Sequence, residues 1–297
     1  MGARVKERMG ATPTINCYAT ANGEFATAVF SCMTIPFTLR VRGGNEALVR
    51  MLAQRAWTRL NRVDRVFSPF RSDSYTTAFN RGDLRGLVEE PWFYEVYARC
   101  LFAADETDGF FQPFADGRFD PVGLVKGWAI ERVFREVAAD ALGVGSVTAA
   151  ALSGGGDMQV AVAPGVPFTW GVGIEAPQGL VRGDGNGREL VGTVRLAHGA
   201  VATSGISKRG EHIAYPQGRA PGPSDDVVQA TVIADSLTEA DVWATTAVAA
   251  GRSRFAALVS AEPTVRSCVL VTRDGATYRV ECARRAPAGG PPMDVHA

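Results

Sequence analysis

Histidine is scarce. The 297 residues hold three, His198, His212 and His296, too few and too scattered for a multi-histidine metal site. Five cysteines, Cys17, Cys32, Cys100, Cys268 and Cys282, are odd in number, with no pair at C-x-x-C spacing. Neither a zinc knuckle nor a disulfide framework is indicated, and a reducing compartment fits. No apolar run approaches the ~18 residues of a membrane span. The polar stretch from Met1 to Gly23 has no signal-peptide core, so the expectation is a cytoplasmic protein without a membrane partner. Charge of one sign is not in excess either: Lys plus Arg and Asp plus Glu number 31 each. That balance argues against nucleic acid as a partner.

Several catalytic signatures are also missing. There is no G-x-x-x-x-G-K-S/T phosphate loop, no H-E-x-x-H zinc pair and no G-x-S-x-G nucleophile elbow. Gly154, Gly155 and Gly156 do not form G-x-G-x-x-G at a helix start, so a Rossmann site is unsupported. What remains is oxygen chemistry on a chain that is 46% apolar and long enough to bury a full core.

Along the chain, residues 1 to about 25 read as a flexible arm, and 26–284 as one domain. A strand is expected from Ala28 to Val41, a helix from Asn45 to Phe67, and another opening at Pro91. Short strand candidates then recur from Ser146 to Ile233, separated by turn signals, with a helix from Thr238 to Gly251 and two late strands. The Pro/Gly-rich 285–297 reads as a disordered tail. Helices early and sheet mostly late predict an α+β fold, a single large domain with helices packed on a mixed or antiparallel sheet.

The most suggestive stretch is Asp120-Pro121-Val122-Gly123-Leu124-Val125-Lys126-Gly127, a glycine-bearing turn ahead of helical periodicity from Trp128 to Leu142. It fits a phosphate cradle, with Lys126 beside a helix N-terminus, and equally a capped amphipathic helix. Asp241 and Thr245 stand four apart on one helical face, hard oxygen ligands suited to Mg2+. Thr238-x-x-Asp241 also fits a capping box. Thr203-Ser204-Gly205 ends a strand-like run and can hold a phosphate or flavin ring, or make an ordinary turn. His212 titrates near neutrality and can serve as a base or as a structural residue. Gly155-Gly156-Asp157 lets backbone approach a ligand, or turns a hairpin.

In order and spacing these pieces resemble the FAD:protein FMN transferases, the ApbE family, from about Phe30 to Gly251. The markers are Phe67-Ser68-Pro69-Phe70-Arg71-Ser72-Asp73-Ser74 with Asn80, Thr107-Asp108-Gly109-Phe110-Phe111, and Phe119-Asp120 through Gly127-Trp128-Ala129. Gly155-Gly156-Asp157, Thr203-Ser204-Gly205, His212-Ile213 with Pro216, and Ala240-Asp241 with Ala244-Thr245 follow.

The resemblance implies an Mg2+-dependent enzyme that cleaves FAD, transfers FMN to a Thr or Ser of an acceptor protein and releases AMP. It places Met33, Phe70, Gly109, Phe110, Phe111, Asp120, Lys126, Gly155, Gly156, Asp157, Thr203, Ser204 and Gly205 at FAD. The metal falls to the Gly123 carbonyl with Asp241 and Thr245, and His212 with Lys126 would do the chemistry. The sequence departs from the family at Met33-Thr34-Ile35, where a glycine is lost, at Ile206-Ser207-Lys208, and at Tyr215 with the short Pro216-Gln217-Gly218 turn. These changes touch the flavin and acceptor sides, so an FAD pyrophosphatase and a non-catalytic flavin-binding protein stay open beside the transferase.

Overall fold

The computed structural model describes residues 13–115, 117–143, 145–177, 189–206, 225–282 and 295–296. Phe25–Cys32 (β2) and Ile35–Arg42 (β3) pair antiparallel, setting Phe30 opposite Phe37 with their rings stacked at 5.7 Å. The sequence reads there as one continuous strand; the chain instead reverses at Met33 and Thr34, both left-handed at φ 50° and 63°. Two positive φ values in a two-residue loop match the strand twist of a hairpin, and no glycine marks the turn. Within the stretch expected as an arm, Ile15–Ala19 (β1) pairs with β2 as an edge strand.

Glu46–Phe67 (α1) starts where the Asn45 side chain accepts the Leu48 amide at 2.9 Å, and buries a stripe through Val49, Leu52, Ala56, Leu60 and Val63. After the short helices Tyr75–Phe79 (α2) and Gly86–Glu89 (α3), Pro91–Glu106 (α4) has Pro91 in its first turn and the Glu90 side chain as its cap. A small ladder, Phe114–Ala115 (β4) with Arg118–Phe119 (β5), leads into Val122–Val133 (α5). That helix begins six residues before the periodicity signals it, because glycines at 123 and 127 weaken helix propensity. Lys126 therefore lies within the helix rather than ahead of it.

The remaining strands are Ala149–Gly154 (β6), Asp157–Val162 (β7), Trp170–Glu175 (β8), Leu190–Leu196 (β9), Gly199–Gly205 (β10) and Val227–Ala234 (β11). The helices Leu237–Ala250 (α6) and Arg252–Val259 (α7) precede Val265–Thr272 (β12), Thr277–Glu281 (β13) and Val295–His296 (β14). One nine-stranded sheet runs β1-β2-β3-β6-β7-β10-β11-β12-β13, antiparallel throughout.

Alternation divides its two faces. Ala200 and Ala202 join the helix-side core, and Val201 joins a second core beneath the small β14-β9-β8 sheet. The fold is α+β, as the sequence predicts. α6 is buried almost all round, from Leu237 to Ala249, so any charge it carries must be paired inside the protein. Among the described residues, no helix is long and apolar enough to cross a membrane.

Candidate active site

Two buried carboxylates meet one lysine where β7, α5 and α6 converge. The β6–β7 hairpin turns at Gly155 and Gly156, at φ 62° and 96°, a conformation that favours glycine. That turn sets Asp157 at the head of β7, wholly buried. Its Oδ1 accepts the Thr203 amide of β10 at 3.0 Å, and its Oδ2 pairs with Lys126 Nζ. From α6, Asp241, also fully buried, places Oδ1 3.3 Å from the same ammonium. Its Oδ2 accepts the Gly127 amide at 3.0 Å. In a regular helix that amide bonds the carbonyl four residues back, at Gly123, so the carboxylate competes for the donor of the Gly123 carbonyl.

The charge count is unequal: two carboxylates face one ammonium. Burial pushes the Asp157 carboxyl up to about 6, helped by the negative charge of Asp241 and opposed by Lys126. Such a pocket has room in its electrostatics for a further cation. One helical turn past Asp241, Thr245 sits within 3.3 Å of the Ser204 hydroxyl, while Thr203 bonds Thr231 at 2.9 Å on the opposite face of β10. Among the described residues, no group of three or more His, Cys, Asp or Glu gathers as a metal site. A metal here would need mixed oxygen donors, and the Asp241 carboxylate, the Thr245 hydroxyl and the Gly123 carbonyl are of that kind.

The capping-box reading of Thr238 and Asp241 does not hold. Ser236 caps α6 by accepting the Glu239 amide at 3.3 Å, and Asp241 turns away to Lys126 and Gly127. Beside the cluster, a cleft of about 240 Å³ opens between β8 and the ends of β10 and β11, lined by Gly156, Ile174, Thr203, Gly205 and Gln229. A larger groove, about 600 Å³, lies over α4 and α5, and neither opening is lined by Lys126, Asp157 or Asp241 themselves. The smaller cleft borders the cluster through Gly156, next to Asp157 in the chain, and through Thr203, whose amide Asp157 accepts.

A family model described as the ApbE family matches residues 114–269, more than half of the chain. The chain belongs to the ApbE family. Solved structures similar to it include an ApbE protein from Thermotoga maritima, 19% identical with a TM-score of 0.65, covering 91% of this chain and 97% of that one. The flavin transferase ApbE from Vibrio cholerae is 16% identical with a TM-score of 0.62, covering 88% and 97%. The flavinyl transferase ApbE from Pseudomonas stutzeri, in its apo form, is 18% identical with a TM-score of 0.59, covering 92% and 95%. At these identities the likeness is one of fold. No curated protein sequence matches the chain.

The remaining residues that the ApbE motifs single out are spread around this centre. Asp120 is exposed two residues before α5, and its Oδ1 accepts the Val122 amide at 3.0 Å. Asn80 clamps the backbone just before it, donating to the Phe119 carbonyl at 2.9 Å and accepting the Phe119 amide at 2.8 Å. Phe111 is buried in the main core, its ring edge 3.1 Å from where a Cβ on Gly123 would stand. Phe110 is buried beside it in the chain, and Gly109 is left-handed at φ 77°. Phe70 is 91% exposed, and Met33 packs half-buried against the core at the β2–β3 turn. His212 lies outside the described residues, as do Ser207, Lys208 and the turn from Tyr215 to Gly218.

Sequence reasoning gave no role to Gly127, whose amide meets Asp241, although the glycine stood in the motif. It also passed over Glu131 and Gln159, which no motif marks.

Proposed function

We propose that this chain is a Mg2+-dependent flavin transferase that takes FMN from FAD to a Thr or Ser hydroxyl of an acceptor protein and releases AMP. The observation that carries the reading is the buried Lys126–Asp157–Asp241 cluster with its excess negative charge, one turn from Thr245 and beside an open cleft. FAD is the substrate and the acceptor protein the partner; family membership and the named flavin transferases among similar structures support both.

Asp241, Thr245 and the Gly123 carbonyl would hold Mg2+, which when bound neutralises charge on the pyrophosphate. Lys126 brings a second positive charge to the same place, and Asp157 orients it. Gly156 of the side-chain-free turn, with Thr203 and Gly205, borders the cleft where the dinucleotide would lie. In the transfer, the acceptor oxygen bonds the FMN phosphorus while the bridging P–O bond to the AMP phosphate breaks. His212 takes the hydroxyl proton, and AMP leaves with the bridging oxygen.

The test is incubation with FAD, Mg2+ and a co-expressed candidate acceptor, reading AMP, free FMN and acceptor mass separately. Stoichiometric AMP with a mass gain of FMN less water on one Thr or Ser is expected. AMP with free FMN and no modified protein makes the chain a pyrophosphatase, and bound FAD with no AMP makes it a carrier.

A further inference from the structure

α6 is gripped at its first turn by side chains from α5, which also meets its Asp241, and from β7, whose Asp157 shares Lys126 with Asp241. The Leu237 amide donates to Gln159 Oε1 of β7 at 3.0 Å. The Thr238 amide and hydroxyl both donate to Glu131 Oε2 of α5, at 3.0 and 2.5 Å. Only the Glu239 amide is satisfied locally, by Ser236. Helix starts leave such amides unpaired, and the usual remedy is a local cap. Here two acceptors come from 78 and 107 residues away in sequence.

Their placement repeats the charged cluster. β7 supplies Asp157 and, two residues on and so on the same face, Gln159. α5 supplies Lys126 and Gly127 and, one turn beyond Gly127, Glu131. α5 therefore meets α6 twice, at Asp241 and at the first turn, while β7 holds the first turn through Gln159 and reaches Asp241 only through the lysine the two carboxylates share. α6 is lined with Ala240, Ala244, Ala247 and Ala249 and is buried almost throughout. Beside the bulky Trp243, these alanines do little to fix rotation and height, whereas hydrogen bonds are directional.

We propose that Glu131 and Gln159 are positioning residues, which set α6 so that Asp241 and Thr245 stand correctly against Lys126 and Gly127. The effect on catalysis rests on reading the site as the Mg2+–FAD centre; the effect on position does not. The experiment uses Glu131→Ala, Glu131→Gln and Gln159→Met in the full chain. In the ligand-free protein, amide exchange of Gly127 relative to β11 amides reports whether Asp241 keeps its place. Glu131→Ala and Gln159→Met are each expected to speed it about tenfold, with Glu131→Gln, whose amide oxygen still accepts, within threefold of wild type.

Mn2+ binding, followed by the EPR signal of the free ion, is expected to weaken about tenfold in the same two variants. AMP release should lose kcat to match, with KM for FAD within twofold. Unchanged Gly127 exchange and Mn2+ affinity in a folded Glu131→Ala protein overturn the proposal. Should that variant not fold, the same result in Gln159→Met overturns it. A wild type that neither binds Mn2+ nor releases AMP refutes the reading of the site, and Gly127 exchange then decides the positional role alone.

Discussion

Gly127 gives its amide to Asp241, and nothing larger than glycine fits where it does so. A Cβ at 127 would stand 2.6 Å from the Leu237 carbonyl oxygen and 2.8 Å from the Asp241 Cβ. Both obstacles are tied to the α6 backbone, so relief requires the helices to part. Gly127→Ala is expected to destabilise the protein by about 1–3 kcal/mol, as overpacking does, and to displace Asp241. Urea unfolding measures the first effect and Mg2+-dependent AMP release the second. A variant of wild-type stability and turnover contradicts the close approach.

Asp157 supplies a pH dependence whose sign follows from its environment. Its carboxyl titrates near 6 when folded, above the ordinary 3.8, through burial and then the charge of Asp241. Between those values the folded state holds more protons than the unfolded chain, so this group's contribution to stability falls as pH rises. The full shift corresponds to up to about 3 kcal/mol. Relative to wild type, Asp157→Asn should gain stability from pH 4 to pH 7 and level off beyond, when unfolding is compared across that range without metal. A difference that is flat, or of opposite slope, rejects the assignment.

What the sequence made legible was local. Lys126 and the Asp241/Thr245 pair stand in short motifs whose spacing already implies a shared helical face, and the α+β class follows from the order of helix and strand signals. Asp157 came as the residue after a pair of glycines. The start of α5 was hidden because Gly123 and Gly127, needed there for the ring of Phe111 and for Asp241, are poor helix formers. The true cap of α6, Ser236, lay two residues before the box that Thr238 and Asp241 imitate. The acceptors Glu131 and Gln159 act across more than 70 residues of sequence, a separation that periodicity cannot bridge.

Thr34 sits at φ 63° in the β2–β3 turn, exposed, with a β-branched side chain where left-handed backbone is costly. The left-handed conformation costs a side-chain-bearing residue roughly 1–2 kcal/mol, and glycine gives back part of that through its freedom when unfolded. Thr34→Gly, which puts the residue suited to left-handed backbone into the turn, is therefore expected to stabilise the protein by about 0.5–1 kcal/mol in urea titrations. If the site reading holds, the same substitution also opens the backbone where flavin would pass, and KM for FAD should fall. Destabilisation on introducing glycine contradicts the strained turn.

The Thr245 hydroxyl separates a structural role from metal binding. Its Oγ1 lies 3.3 Å from Ser204 Oγ on β10, a long and therefore weak hydrogen bond. Thr245→Val keeps the shape, so stability should change by no more than about 1 kcal/mol, the net worth of one such bond. As a metal ligand the hydroxyl has no substitute, because a methyl group offers no lone pair. Mg2+ affinity, read by titration calorimetry, should then drop at least tenfold while unfolding in metal-free buffer hardly moves. Serine at 245 restores the oxygen donor, and Thr245→Ser should recover most of the affinity. If valine lowers stability and leaves Mg2+ binding intact, Thr245 belongs to the packing of α6 against β10, and the metal takes its oxygens elsewhere.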